Sequence, residues 1–167
     1  MKHTISILME NRFGAFDRVA NLFSGKGFNL HSITIGETEL RDVMRMTIVT
    51  SGDDQIIDQV IKQLNRLVDT IKVVDLSEHD RTERELALIT LHYEKGNLQE
   101  IKNICDIFRG RVVDINNKSV MLEITGPPAK IDAAVNVLMP FGIKEMARTG
   151  TVALKRGEQI RQPQEVG

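Results

Sequence analysis

The chain has 167 residues, enough for one compact domain or two small ones. Apolar residues make up 41% and charged residues 27%, an ordinary globular composition, and no apolar run reaches the ~18 residues of a membrane span. A formal net charge of −1, with both signs interspersed, excludes a dedicated basic face for nucleic acid; six Phe, one Tyr and no Trp leave few platforms for stacking bases.

Met1-Lys2-His3-Thr4 runs directly into a strand with no signal-like segment before it, so a cytoplasmic protein is expected. Residues 3–9 alternate, with Ile5, Ile7 and Met9 on one face and Thr4, Ser6 and Leu8 on the other, the pattern of a half-buried strand. Glu10 to Gly14 punctuates it. Phe16, Val19, Ala20 and Phe23 then recur at helical spacing, and Gly25-Lys26-Gly27 stops that helix. Residues 28–36 read as a strand with Ile33 and Ile35 inward. Residues 43–50 read as another, with Met44, Met46 and Ile48 on one side. Ser51-Gly52-Asp53 starts a helix carrying Ile57, Val60, Ile61, Leu64 and Val68, and a strand over 71–76 closes the unit.

This order is βαββαβ. Residues 78–84 are polar without periodicity and read as a linker. The same order then returns. It comprises a strand over 86–93, a helix with Leu98, Ile101, Cys105 and Phe108 ended by Gly110, a hairpin of 112–115 and 120–124, a helix opened by Pro127-Pro128, and a last strand from Ile143 continued to Leu154. The expected fold is α+β: two tandem ferredoxin-like units, residues 1–77 and 85–157, each an antiparallel sheet with helices on one face, and a frayed polar tail over 158–167. Units this small are marginal alone and carry open sheet edges, so a dimer joining edge strands is expected.

Catalytic constellations are missing. His3, His31, His79 and His92 have no metal-ligand spacing, and one cysteine cannot complete a zinc site. Cys105 lies on the apolar stripe of a helix without a basic neighbour, as a buried small hydrophobe does. No nucleophile elbow, Walker A loop or HExxH motif occurs. One loop has chemistry suited to a ligand. Asn11 and Gly14 lie between the first strand and the first helix, where free N–H groups and a partial positive charge suit a carboxylate. Gly14 permits close backbone approach, Asn11 can both donate and accept, and Asn29 opens the second strand. Asn and Gly are also common turn residues, and on the residues alone turn formation is the stronger account of them.

The run Ile7-Leu8-Met9-Glu10-Asn11-Arg12-Phe13-Gly14-Ala15-Phe16-Asp17-Arg18-Val19 resembles the ACT domain of acetolactate synthase small subunits. So do Gly27-Phe28-Asn29-Leu30, Ser32-Ile33-Thr34-Ile35-Gly36 and Arg45-Met46-Thr47-Ile48. Further matches are Gln63 to Asp69, Arg84 to Leu88, Ile107 to Gly110 with Val113-Asp114, and Ala147-Arg148-Thr149-Gly150, so the resemblance spans residues 1 to about 160. It implies a subunit without an active site, which activates a catalytic large subunit and makes it sensitive to valine, or to leucine or isoleucine. Thiamine diphosphate, magnesium and FAD are implied on that partner, and no cofactor or metal on this chain. The resemblance further implies a homodimer through the ACT domain with effector between the two chains. Asn11, Gly14, Ala15 and Phe16 of one chain and Asn29, Leu30 and His31 of the other would form the site. Phe13 and Phe16 depart from the small or Pro residue and the Leu usual there; they either narrow the pocket or face the partner. The C-terminal unit lacks an Asn-x-x-Gly loop, so binding of the catalytic subunit is its expected role. Two other readings are a stand-alone ACT-type sensor acting on another enzyme and a ferredoxin-like RNA-binding module, the latter opposed by strands carrying Ile, Met and Thr in place of aromatics.

Overall fold

The computed structural model of the protein describes residues 1–26, 28–94 and 96–157. The N-terminal unit runs β1 (Lys2–Glu10), α1 (Ala15–Lys26), β2 (Asn29–Glu37), β3 (Val43–Ser51), α2 (Asp54–Leu64) and β4 (Thr70–Asp75). Its sheet has the order β2-β3-β1-β4, with the antiparallel pairs β2–β3, β3–β1 and β1–β4. Ile5, Ile7, Met9, Met46 and Ile48 are fully buried beneath α1 and α2, as period-2 alternation predicts. Ile33 packs against this core, but Ile35, expected inward, is half exposed, because β2 is the outermost strand and the helices do not reach across it. In α1 the buried positions are Ala15, Val19 and Phe23, so Phe16 falls on the flank. Asp53 caps α2, its side chain accepting from Ile56 N–H at 2.9 Å. Val68 lies beyond the end of that helix and is exposed.

The C-terminal unit runs β5 (Arg81–His92), α3 (Leu98–Ile107), β6 (Arg111–Ile115), β7 (Ser119–Gly126), α4 (Pro128–Leu138), β8 (Ile143–Arg148) and β9 (Val152–Lys155). Its sheet order is β6-β7-β5-β8. Ala87, Ile89, Leu91, Val120, Leu122 and Ile124 meet Ile101, Cys105, Ile131, Ala134 and Leu138 in a second core.

Two features differ from the sequence reading. Residues 81–84, expected in the linker, are the first residues of a 12-residue β5. The single last strand is two strands, β8 and β9, broken by a turn at Thr149–Thr151. β9 pairs with Arg81–Arg84 rather than extending the main C-terminal ladder. This ribbon lies against the helix-free face of the N-terminal sheet, where the Thr4 hydroxyl donates to Glu83 at 2.7 Å and the Thr34 hydroxyl donates to the Thr151 carbonyl at 2.9 Å. Thr4, Ser6 and Thr47, on the face that alternation assigns to solvent, are therefore buried. The tail 158–167 and its expected fraying lie outside the described residues, as does Gly27 of the helix stop.

Candidate functional site

The loop between β1 and α1 is held by backbone bonds. Asn11 N–H donates to the Asp42 carbonyl at 2.8 Å, which ties the loop to the β2–β3 hairpin, and Ala15 N–H donates to the Arg12 carbonyl at 3.1 Å. Gly14 has φ +77°, the left-handed region that glycine enters without steric cost. The chain thereby turns sharply into α1. Among the described residues the N–H groups of Phe16 and Asp17 have no hydrogen-bond acceptor. Together with the helix dipole they form a carboxylate-sized donor set.

Arg18, one turn further along α1, braces this set. Its Nε donates to the Asp69 carboxylate at 2.7 Å, and its Nη1 lies 3.3 Å from where a Cβ on Gly14 would stand. Asp69 is only 2% exposed. The sequence reading named neither residue as lying beside the loop. The available signal was Arg18 four residues after Gly14, on the helix side that faces back to the loop.

Of the other expected residues, Asn11 is exposed and free to meet a ligand, and Phe16 is half exposed. Ala15 is a core residue at 1% exposure, and its N–H is bonded to the Arg12 carbonyl. Asn29, Leu30 and His31 are all exposed at the start of β2. The Asn29 carbonyl accepts from the Thr50 hydroxyl at 2.7 Å, and His31 Nε2 lies 3.1 Å from the Ser51 hydroxyl.

The structure does not bring these two groups together within one chain. Asn29 is in register with Ser51, and Ser51 with Lys2; the loop follows Glu10, at the opposite end of the nine-residue β1. At ~3.3 Å per residue the separation is roughly 25 Å. The two groups of candidate residues thus lie at opposite ends of one sheet, with Phe13, Phe16 and Leu30 presenting apolar surface beside them.

A second concavity, about 610 Å³, lies between the units and is lined by His31, Ser32, Glu85, Arg148 and Gly150 among others. Arg148 donates to both Glu85 oxygens at 2.6 and 3.0 Å and to Asp132 at 2.8 Å. The Glu85 hydrogen bonds, foremost, raise its pKa further and hold it charged. Cys105 lies outside this concavity, in the core of the C-terminal unit, and burial, reinforced by the Asp106 charge, pushes its thiol pKa up.

Two family models match the chain: an AHAS small subunit-like ACT domain over residues 5–72 and the small subunit of acetolactate synthase over residues 84–157. A probable acetolactate synthase small subunit of Archaeoglobus fulgidus is 48% identical over 159 residues, covering 95% of this chain and 99% of that one. An acetolactate synthase small subunit of Aquifex aeolicus is 46% identical over 162 residues, covering 96% of this chain and 84% of that one. The crystal structure of an acetolactate synthase small subunit from Thermotoga maritima superposes with a TM-score of 0.86 at 40% identity, covering 95% of this chain and 99% of that chain. With matched models over both units and near full-length relatives far above 30% identity, the chain belongs to the acetolactate synthase small-subunit family.

Proposed function

We propose that this protein activates the thiamine-diphosphate-dependent catalytic subunit of acetolactate synthase and confers feedback inhibition by a branched-chain amino acid, valine foremost, in valine, isoleucine and leucine synthesis. The observation that supports this reading is that the Asn11–Gly14 loop and the Asn29–His31 strand start lie at opposite ends of one sheet. β2 is an open edge. Two copies pairing antiparallel through β2 bring the Asn29 end of each strand to the Glu37 end of the other. That is the end at which the Asn11–Gly14 loop is tied to Asp42. A two-fold dimer of this kind completes two sites and covers the exposed Phe13, Phe16 and Leu30.

In that site the effector's carboxylate would meet the Phe16 and Asp17 N–H groups beside the Arg18 guanidinium. Asn11 and the partner's Asn29 would orient its ammonium, and Phe16 with the partner's Leu30 would enclose a small branched side chain. The catalytic subunit, with its thiamine diphosphate, magnesium and FAD, is assigned to the C-terminal unit. There the edge strand β6 is exposed along its whole length and carries Val112, Val113 and Ile115 uncovered. The test is reconstitution: acetolactate formation from pyruvate by the catalytic subunit, with and without this chain, and with valine, leucine or isoleucine added. Stimulation by the chain and inhibition only in its presence are expected. A catalytic subunit indifferent to the chain would refute the reading.

A further inference from the structure

The effector half-site on β2 touches the C-terminal unit almost directly. The β2–β3 register slips between Leu30 and Ser32, so His31 sits at a bulge, where a strand is locally free of its ladder. Ser32 and Thr34 follow on one face, and the turn between β8 and β9 presses onto them. A Cβ at Gly150 would lie 3.0 Å from Thr34 Cγ2 and 3.2 Å from Ser32 Cβ, closer than such contacts normally come. Gly150 is also at φ +82°, so the turn is shaped by glycine twice over, in its backbone and in its approach. The Thr34 hydroxyl donates to the Thr151 carbonyl at 2.9 Å, and Thr151 is buried. The Ser32 hydroxyl oxygen is buried at this contact with no hydrogen-bond partner among the described residues.

On its other side the turn is fastened rigidly. Thr149 N–H donates to the Leu86 carbonyl at 3.0 Å, and Leu86 N–H donates to the Thr149 hydroxyl at 3.1 Å. Arg148 ties the end of β8 to Glu85 on β5 and to Asp132 on α4. Any change in β2 at Ser32 and Thr34 must therefore be taken up by the C-terminal unit as a body, not absorbed in a soft loop.

We propose that the contact of Ser32 and Thr34 with the Thr149–Thr151 turn is the route by which effector occupancy at the His31 bulge is passed to the C-terminal unit, with Thr34 and Gly150 acting as positioning residues that do not touch the effector. This rests on the regulatory function proposed above and adds where its signal travels. A coupling free energy is reciprocal, so the catalytic subunit must shift the chain's valine affinity, by about 5–150-fold in typical cases, and lose that shift when the contact is cut.

The experiment uses Thr34→Val, which keeps the side chain's shape and removes its hydroxyl, with Gly150→Ala as a second variant. Valine binding is measured by calorimetry on each full chain, alone and with the catalytic subunit, beside melting curves and acetolactate formation with and without valine. Expected for Thr34→Val are wild-type valine affinity in the free chain, intact activation, reduced inhibition at saturating valine, and loss of the affinity shift caused by the catalytic subunit. Folded variants that are inhibited as fully as wild type overturn the inference. So does loss of valine binding in the free Thr34→Val chain, which would make the contact part of the pocket. A wild-type chain that confers inhibition by none of valine, leucine and isoleucine overturns the functional reading and this inference with it.

Discussion

At Gly14 the positive φ of +77° and the Arg18 guanidinium, 3.3 Å from the missing Cβ, define what a substitution must do. Gly14→Asp sets a carboxylate against Arg18 and the free N–H groups, in the place assigned to the effector's own carboxylate. Inhibition by valine should be lost and activation kept. Stability should fall by about 1 kcal/mol, the low end of left-handed strain, since Asp tolerates that region better than most residues. Acetolactate assays beside a melting curve check this, and a well-folded mutant that still confers full inhibition refutes it. Asn29→Ala probes the same site from the other chain and adds no charge. Arg18→Ala leaves Asp69, at 2% exposure, with its ion-pair partner gone. Loss of one partner of a fully buried pair costs about 3–5 kcal/mol. Arg18 is itself 41% exposed, so water enters and roughly 2 kcal/mol is expected, read from the urea midpoint. The buried Cys105, its thiol pKa raised by burial, should resist iodoacetamide in the native protein and react on unfolding. Rapid native alkylation would contradict that placement.

Among the elements, the β9–β5 ribbon is the one whose removal should be felt most widely. Ala153, at 4% exposure, stands in the centre of the four-residue β9, within the ribbon that covers the helix-free face of the N-terminal sheet. Ala153→Asp would place an unpaired charge there, at a cost of several kcal/mol or undocking of the ribbon. A melting temperature within a degree of wild type would show the ribbon to be peripheral. Helix α1 shows how a local pattern is redirected by what precedes it. Phe16, Val19, Ala20 and Phe23 fit an apolar stripe, yet the Gly14 turn starts the helix so that Ala15, Val19 and Phe23 face the core. Phe16 is left on the flank, beside the ligand loop.

For the whole molecule, the proposed two-chain site would make association and effector binding one equilibrium. A ligand that contacts both chains binds only the associated state, so at free effector about 100 times its Kd each independent site adds about 2.7 kcal/mol. Valine, leucine or isoleucine should therefore raise the melting temperature and shift sedimentation toward the dimer. No change with any of the three at saturation would mean that the pocket is not formed. The preferred amino acid is the one with the largest shift.

Most of the element order was legible because it is local: period-2 alternation marks Ile5, Ile7 and Met9, and helical spacing marks Ile57, Val60 and Leu64, all of which are buried. The loop between β1 and α1 was singled out through loop chemistry and family resemblance, and the chain turns there at Gly14. What tertiary structure alone decided were the long-range pairings, which no periodicity records. Arg18 meets Asp69 across 51 positions, and Thr34 meets Thr151 across 117. Residues 81–84 look like a linker because they are polar, and become a strand because β9 returns to pair with them. Thr4, Ser6 and Thr47 alternate as a solvent face does and are buried because that ribbon covers them, a polar face being stable there once hydroxyls such as that of Thr4 find partners such as Glu83. The distance between Asn11 and Asn29 follows in the same way from strand order and register, and under the proposed function it is that distance, not any single residue, that calls for a second chain.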